Sequence, residues 1–166
     1  MQYETRITNN KFLANKHAEI LDRAVDIATK NVTSGGGPFG AIIVDREGNN
    51  IAESADSVER TLDPTAHAEI CAIREACKKL NSSQLDGCIL YASCEPCSMC
   101  LSAAYLSRLE RIYYAADRSI AVKAGLSYDD IGAPISKSQI QMERLQVIEK
   151  DRPFDMWRLQ QLKTEL

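Results

Sequence analysis

A chain of 166 residues, 45% hydrophobic and 26% charged, has the size and balance of one globular domain with its own core. Its net charge of −3 and the lack of a basic run argue against a nucleic-acid partner, since phosphate neutralisation by Lys and Arg supplies much of that affinity. No apolar stretch reaches bilayer length, and Met1 to Lys16 lacks the basic-then-apolar order of a secretory signal, so the expected setting is cytoplasmic, reducing and off the membrane.

Residues 1–15 are polar and read as a loose, irregular N-terminal arm. From Lys16 the pattern turns helical, with Ile20, Leu21, Ala24, Ile27 and Ala28 on one face, and Gly35-Gly36-Gly37-Pro38 ends it. Phe39 to Val44 reads as a buried strand and Ile51 to Ala55 as its hairpin partner across Arg46 to Asn50. A polar connection, Ser57 to Thr65, leads to His67 and an amphipathic helix carrying Ile70, Ile73, Ala76, Cys77 and Leu80.

Cys88 to Ala92 is apolar on both sides and predicts a central strand. Cys97 to Leu106 is so apolar that it predicts a buried helix, and Arg111 to Ala116 a fourth strand. Ser119 to Ser138 reads as irregular, Gln141 to Glu149 as a fifth strand and Pro153 to Leu162 as a terminal helix. Strands alternating with helices after the first hairpin make this a single α/β domain with a partly parallel sheet.

The chemistry gathers at two stretches, His67-Ala68-Glu69 and Cys94-Glu95-Pro96-Cys97-Ser98-Met99-Cys100. Cys97 and Cys100 sit three positions apart at a helix start, so their sulfurs share a face next to the positive end of the helix dipole, which favours thiolates. His67 at the entry of another helix can reach the same ion. Three such ligands leave one corner of a zinc tetrahedron open for water, whose pKa falls to about 7 in such sites. Glu69 is then the proton carrier beside that corner. The rival reading is a closed structural zinc site with Cys94 as fourth ligand, which leaves Glu69 without a role. Cys71, Cys77 and Cys88 lie in apolar segments and read as small core residues. His17 reads as a surface or core-edge residue, and Tyr91, Tyr105, Tyr113 and Tyr114 as packing residues.

His67-Ala68-Glu69 followed by Pro96-Cys97-Ser98-Met99-Cys100 resembles the cytidine deaminase superfamily. Gly36 to Ala41, Asp63 to Glu69, Tyr91 to Cys97 and Trp157-Arg158 look most like the bacterial guanine deaminases. The resemblance implies a three-layer α/β/α fold on a mixed five-stranded sheet. It also implies hydrolytic deamination of a nucleobase, with guanine going to xanthine and ammonia. His67, Cys97 and Cys100 would hold one Zn²⁺ per subunit and Glu69 would shuttle protons. Phe39 would stack on the base, with Ala68 and the positions of Asp56 and Ile120 also facing substrate. A homodimer that exchanges C-terminal segments (residues 153–166) is implied as well.

The departures from that likeness fall where substrate is chosen. Asp56 stands where the family carries a base-binding asparagine, Ile120 where it carries an acidic residue, and Leu166 where some members end in an aromatic residue. An ionised carboxylate only accepts hydrogen bonds, and isoleucine does neither. Deamination of another amino-heterocycle or nucleoside, or of a tRNA adenosine, is the alternative; outside enzymes, the alternative is a zinc-stabilised binding module.

Overall fold

The computed structural model describes residues 2–126 and 140–164. Helix α1 spans Gln2–Thr33, and strands β1 (Gly40–Val44) and β2 (Asn50–Ala55) form the expected hairpin. A one-turn α2 (Val58–Thr61) precedes α3 (Ala68–Leu80). Then come β3 (Ile89–Cys94), α4 (Ser98–Leu106), β4 (Arg111–Ala116), α5 (Arg118–Lys123), β5 (Gln141–Arg144) and α6 (Arg152–Thr164). The five strands form one mixed sheet in the order β2-β1-β3-β4-β5. The β1 pairings are antiparallel, whereas β3–β4 and β4–β5 are parallel.

Period-2 alternation sorts the sheet's side chains into two cores. Ile42, Tyr91 and Tyr113 face α1 with Leu21, Ala24 and Val25. Ile43, Leu90 and Ile112 face α3 and α4 with Ala72, Ala76 and Ala104. The layering is therefore α/β/α, with β3 central as its two-sided apolar character predicts. Helix α6 lies on α1 of its own chain, where Arg152 pairs with Asp26 and donates to Thr29 Oγ1 at 3.2 Å. Its Phe154 is fully buried among Cys94, Ala116 and Ala121.

Several expectations need correction. Residues 2–15, read as an irregular arm, continue α1, since no Gly or Pro before Gly35 interrupts the helix. Helix α4 is not buried all round: Cys100 and Ala104 are, but Tyr105 is 51% and Leu106 76% exposed. Part of the segment read as irregular forms α5, and β5 stops at Arg144 as a short, largely exposed edge strand. Cys88 is buried as expected, whereas Cys71 and Cys77 are only half-buried. Leu166 and the segment containing Gly132 and Pro134 lie outside the described residues.

Gly40 sets how closely α1 lies on the sheet. A Cβ there would fall 2.4 Å from the Ala24 carbonyl oxygen and 2.8 Å from the Ala28 nitrogen, both backbone atoms that cannot swing away. Gly40→Ala should therefore lift α1 and cost about 1–3 kcal/mol of stability. Urea denaturation measures it, and an unchanged midpoint would show that α1 can rise from the sheet freely.

Candidate active site

Two helix N-termini meet at one end of the sheet. His67 is the N-cap of α3 (φ −61°, ψ 155°) and Cys97 the N-cap of α4 (φ −73°, ψ 170°). Neither side chain caps its own helix, so both are free to converge. Cys100 lies one turn into α4, and its backbone is fully covered. His67 Nδ1 is 3.7 Å from Cys97 Sγ and 3.6 Å from Cys100 Sγ, and the sulfurs are 3.6 Å apart. A tetrahedron with Zn–S of about 2.3 Å and Zn–N of about 2.0–2.1 Å has edges of about 3.5–3.8 Å, so this donor set fits zinc. Among the described residues these are the three that gather in this way; Cys94 is not one of them.

The proton distribution follows from the crowding. The hydrogen bond to Cys100, helped by His67, pulls the Cys97 thiol down to about 4 despite burial. Cys100, sharing its proton with Cys97 and buried, is pushed well above the usual thiol range. The bond to Cys97 raises His67, with burial opposing. Burial raises Glu69 to about 7, while its own backbone N–H and the Cys100 thiol partly offset the shift. A carboxyl near 7 at 8% exposure can both accept and return a proton at neutral pH.

His67, Cys97 and Glu69 border a cleft of about 20 Å³ that Phe39, Cys94, Glu95 and Arg118 also line. Phe39, expected to face substrate, is in that wall, edge-on to Phe154 with ring centroids 5.8 Å apart. Ala68, Asp56 and Ile120 are not in the lining. Ala68 is buried at the first turn of α3, and Ile120 packs in the apolar cluster around Phe154. Asp56 is 7% exposed; burial raises its carboxyl, which accepts the Val58 N–H. His17 sits on the opposite face of the sheet, its Nδ1 2.6 Å from the Tyr91 hydroxyl.

Sequence reasoning passed over Glu95 and Arg118 as site residues. Glu95 lies inside the cysteine motif, which was a usable signal. Arg118 carries none, because only the parallel β3–β4 pairing brings the two together.

A thiolate-rich, three-ligand site with a buried glutamate beside it, between two helix starts on a mixed α/β sheet, is the arrangement of a zinc-dependent deaminase. The chain belongs to that family: residues 14–116 match the model described as the cytidine and deoxycytidylate deaminase zinc-binding region. It is 46% identical over 147 residues to the guanine deaminase of Bacillus subtilis, covering 86% of this chain and 94% of that one. The crystal structure of that protein superposes with a TM-score of 0.64 over 84% of this chain and 91% of its own. A tRNA-specific adenosine deaminase of Aquifex aeolicus is 53% identical over 79 residues, which spans 48% of this chain and 52% of that protein.

With Cys100 holding its proton and His67 raised, metal loading near neutral pH must displace at least the Cys100 proton. Protons thus compete with the ion: affinity rises with pH and falls by about tenfold per pH unit for each proton displaced as pH drops. Chelator competition between about pH 6 and 8 measures the slope. A pH-independent affinity would show that the ligands are already deprotonated before the metal arrives.

Proposed function

We propose that this family member is a zinc-dependent hydrolytic deaminase of guanine, producing xanthine and ammonia. The observation that carries the substrate is the 46% identity to a guanine deaminase over 94% of that protein's length, far beyond the metal motifs. In this reading His67, Cys97 and Cys100 hold one zinc per subunit. A zinc ion held there would supply an acidified water, with a pKa of about 7 in such sites.

The chain's own residues do the rest. Phe39 stacks on the planar base and, backed by Phe154, keeps it from tilting. Glu69 takes a proton from the attacking water, whose oxygen bonds to the ring carbon bearing the amino group. It returns that proton to the ring nitrogen as the ring C=N bond opens, then carries the proton of the new hydroxyl to the departing amino nitrogen as the C–N bond breaks and the carbonyl forms. Burial beside the pocket gives Glu69 the intermediate basicity these transfers need. Cys94, whose thiol burial holds protonated, lines the wall without serving as a ligand.

The six free cysteines suit a reducing cytoplasm, where the enzyme would act in purine metabolism. The exposed Tyr105 and Leu106 on α4 support a homodimer, and among the described residues no helix is long and apolar enough to cross a membrane.

The decisive experiment is an ammonia-release screen over guanine, guanosine, adenine, cytosine, amino-triazines and pterins. Guanine is expected to be turned over fastest, and no release from guanine alongside turnover of another base would overturn the substrate. Glu69→Gln should keep metal and fold while losing about 10²–10⁴-fold in turnover. Steady-state rates on metal-assayed protein decide it, and wild-type kcat in that variant would sink the proton-shuttle role.

A further inference from the structure

The deaminase reading leaves a specific question in the pocket wall. Of its lining residues, His67 and Cys97 belong to the metal site, Glu69 to proton transfer, and Phe39 and Cys94 to an apolar surface. Among the described residues, Glu95 and Arg118 remain to recognise a polar ring. Glu95 follows directly on the C-terminal end of β3 and Arg118 lies two residues past that of the parallel β4, the place where sheets of this kind open a crevice for ligands.

Both side chains are held yet incompletely used. Arg118 Nη2 donates to the Pro96 carbonyl at 2.7 Å and lies 3.7 Å from Glu95 Oε1. The Arg118 backbone N–H donates to Glu95 Oε2 at 3.2 Å. These contacts fix the guanidinium in the wall, but its Nε is buried with no hydrogen-bond partner among the described residues. Nε is covered by protein, so the donors left to a ligand are on the rest of the side chain, which is 39% exposed and lines the cleft. Glu95 carries about four lone-pair sites, and the Arg118 contacts occupy only part of them.

We propose that Arg118 and Glu95 form a donor–acceptor edge that selects the ring amide of the substrate. The Arg118 guanidinium donates to the ring carbonyl, and the Glu95 carboxylate accepts the adjacent ring N–H. This rests on the deaminase reading and deepens it. It names where an oxopurine is distinguished from an aminopurine: the latter presents a donor where Arg118 needs an acceptor. It also supplies the acidic acceptor that Ile120 lacks, from a different strand end. Asp56, outside the lining and already engaged with the Val58 N–H, is then not required for the choice.

The test is calorimetric titration of zinc-loaded protein with hypoxanthine and with purine, which differ by one ring amide. Wild type is expected to prefer hypoxanthine. Arg118→Ala and Glu95→Gln should each shrink that preference by about tenfold to a hundredfold, mostly through weaker hypoxanthine binding. Because Arg118 also steadies Pro96 beside a metal ligand, zinc content is assayed in every variant. Arg118→Gln, which keeps one donor, should restore part of the preference. A preference unchanged in both variants, equal loss for both ligands, or no preference in wild type would overturn the proposal. Guanine turnover separates this from the reading beneath it. An intact, Arg118-dependent preference without release of ammonia from guanine rejects guanine but not the edge. Guanine turnover with an Arg118-independent preference rejects the edge alone.

Discussion

The structure depends on two helix N-termini being brought face to face. Each carries roughly half a positive charge and orphan backbone N–H groups, so their approach is unfavourable unless anionic groups fill the gap. His67 and Cys97 occupy the two cap positions, and the Cys97 thiolate, with Glu69 when it is ionised, supplies that negative potential. Extended φ/ψ at both caps aims the side chains outward from the helix starts into a common point. The β1–β2 hairpin and the central β3 hold α3 and α4 at the required spacing. Side-chain chemistry at two residues thus depends on the register of a whole sheet.

What could be read in advance followed from how local the signal was. The boundaries of β4 came out of the sequence directly, because its apolar run is bounded by charges on both sides. His67, Cys97 and Cys100 were legible from spacing, since a helix start fixes where residues three apart point. Residues 2–15 misled because a polar helix has no apolar stripe to announce it. The exposure of α4 misled for the opposite reason: its apolar composition says that it wants a partner, without saying whether this chain supplies one. The Glu95–Arg118 pair was invisible because it spans 23 positions and exists only through the parallel β3–β4 register.

In the proposed reading, catalysis and substrate choice fall to different parts of the fold. The metal-site residues and Glu69 lie at helix starts, positioned by backbone geometry that tolerates little change. The remaining wall is built from strand ends and from Phe39, whose ring rests on Phe154 of α6. Phe154 is fully buried, and Arg152 ties the same helix to α1 through Asp26 and Thr29. The last helix therefore reaches the pocket by packing, and loosening it would disturb the Phe39 ring before it disturbed His67, Cys97 and Cys100.

The same crowding that makes the site reactive makes it the costly part of the molecule. Glu69 is raised to about 7, above its value in an unfolded chain, so its ionisation opposes folding. The sign is fixed: the cost is absent at acid pH, where the carboxyl is protonated in both states, grows as pH rises from 4.5 to about 7, and is constant above that. Cys100, held protonated beside the Cys97 thiolate, shows the same conflict between neighbouring acids. A divalent cation at the meeting point of these donors would relieve both at once, converting repulsion among acids into coordination. The buried glutamate keeps its intermediate basicity only because the fold, stabilised by two apolar cores elsewhere, can bear a site that is locally unfavourable.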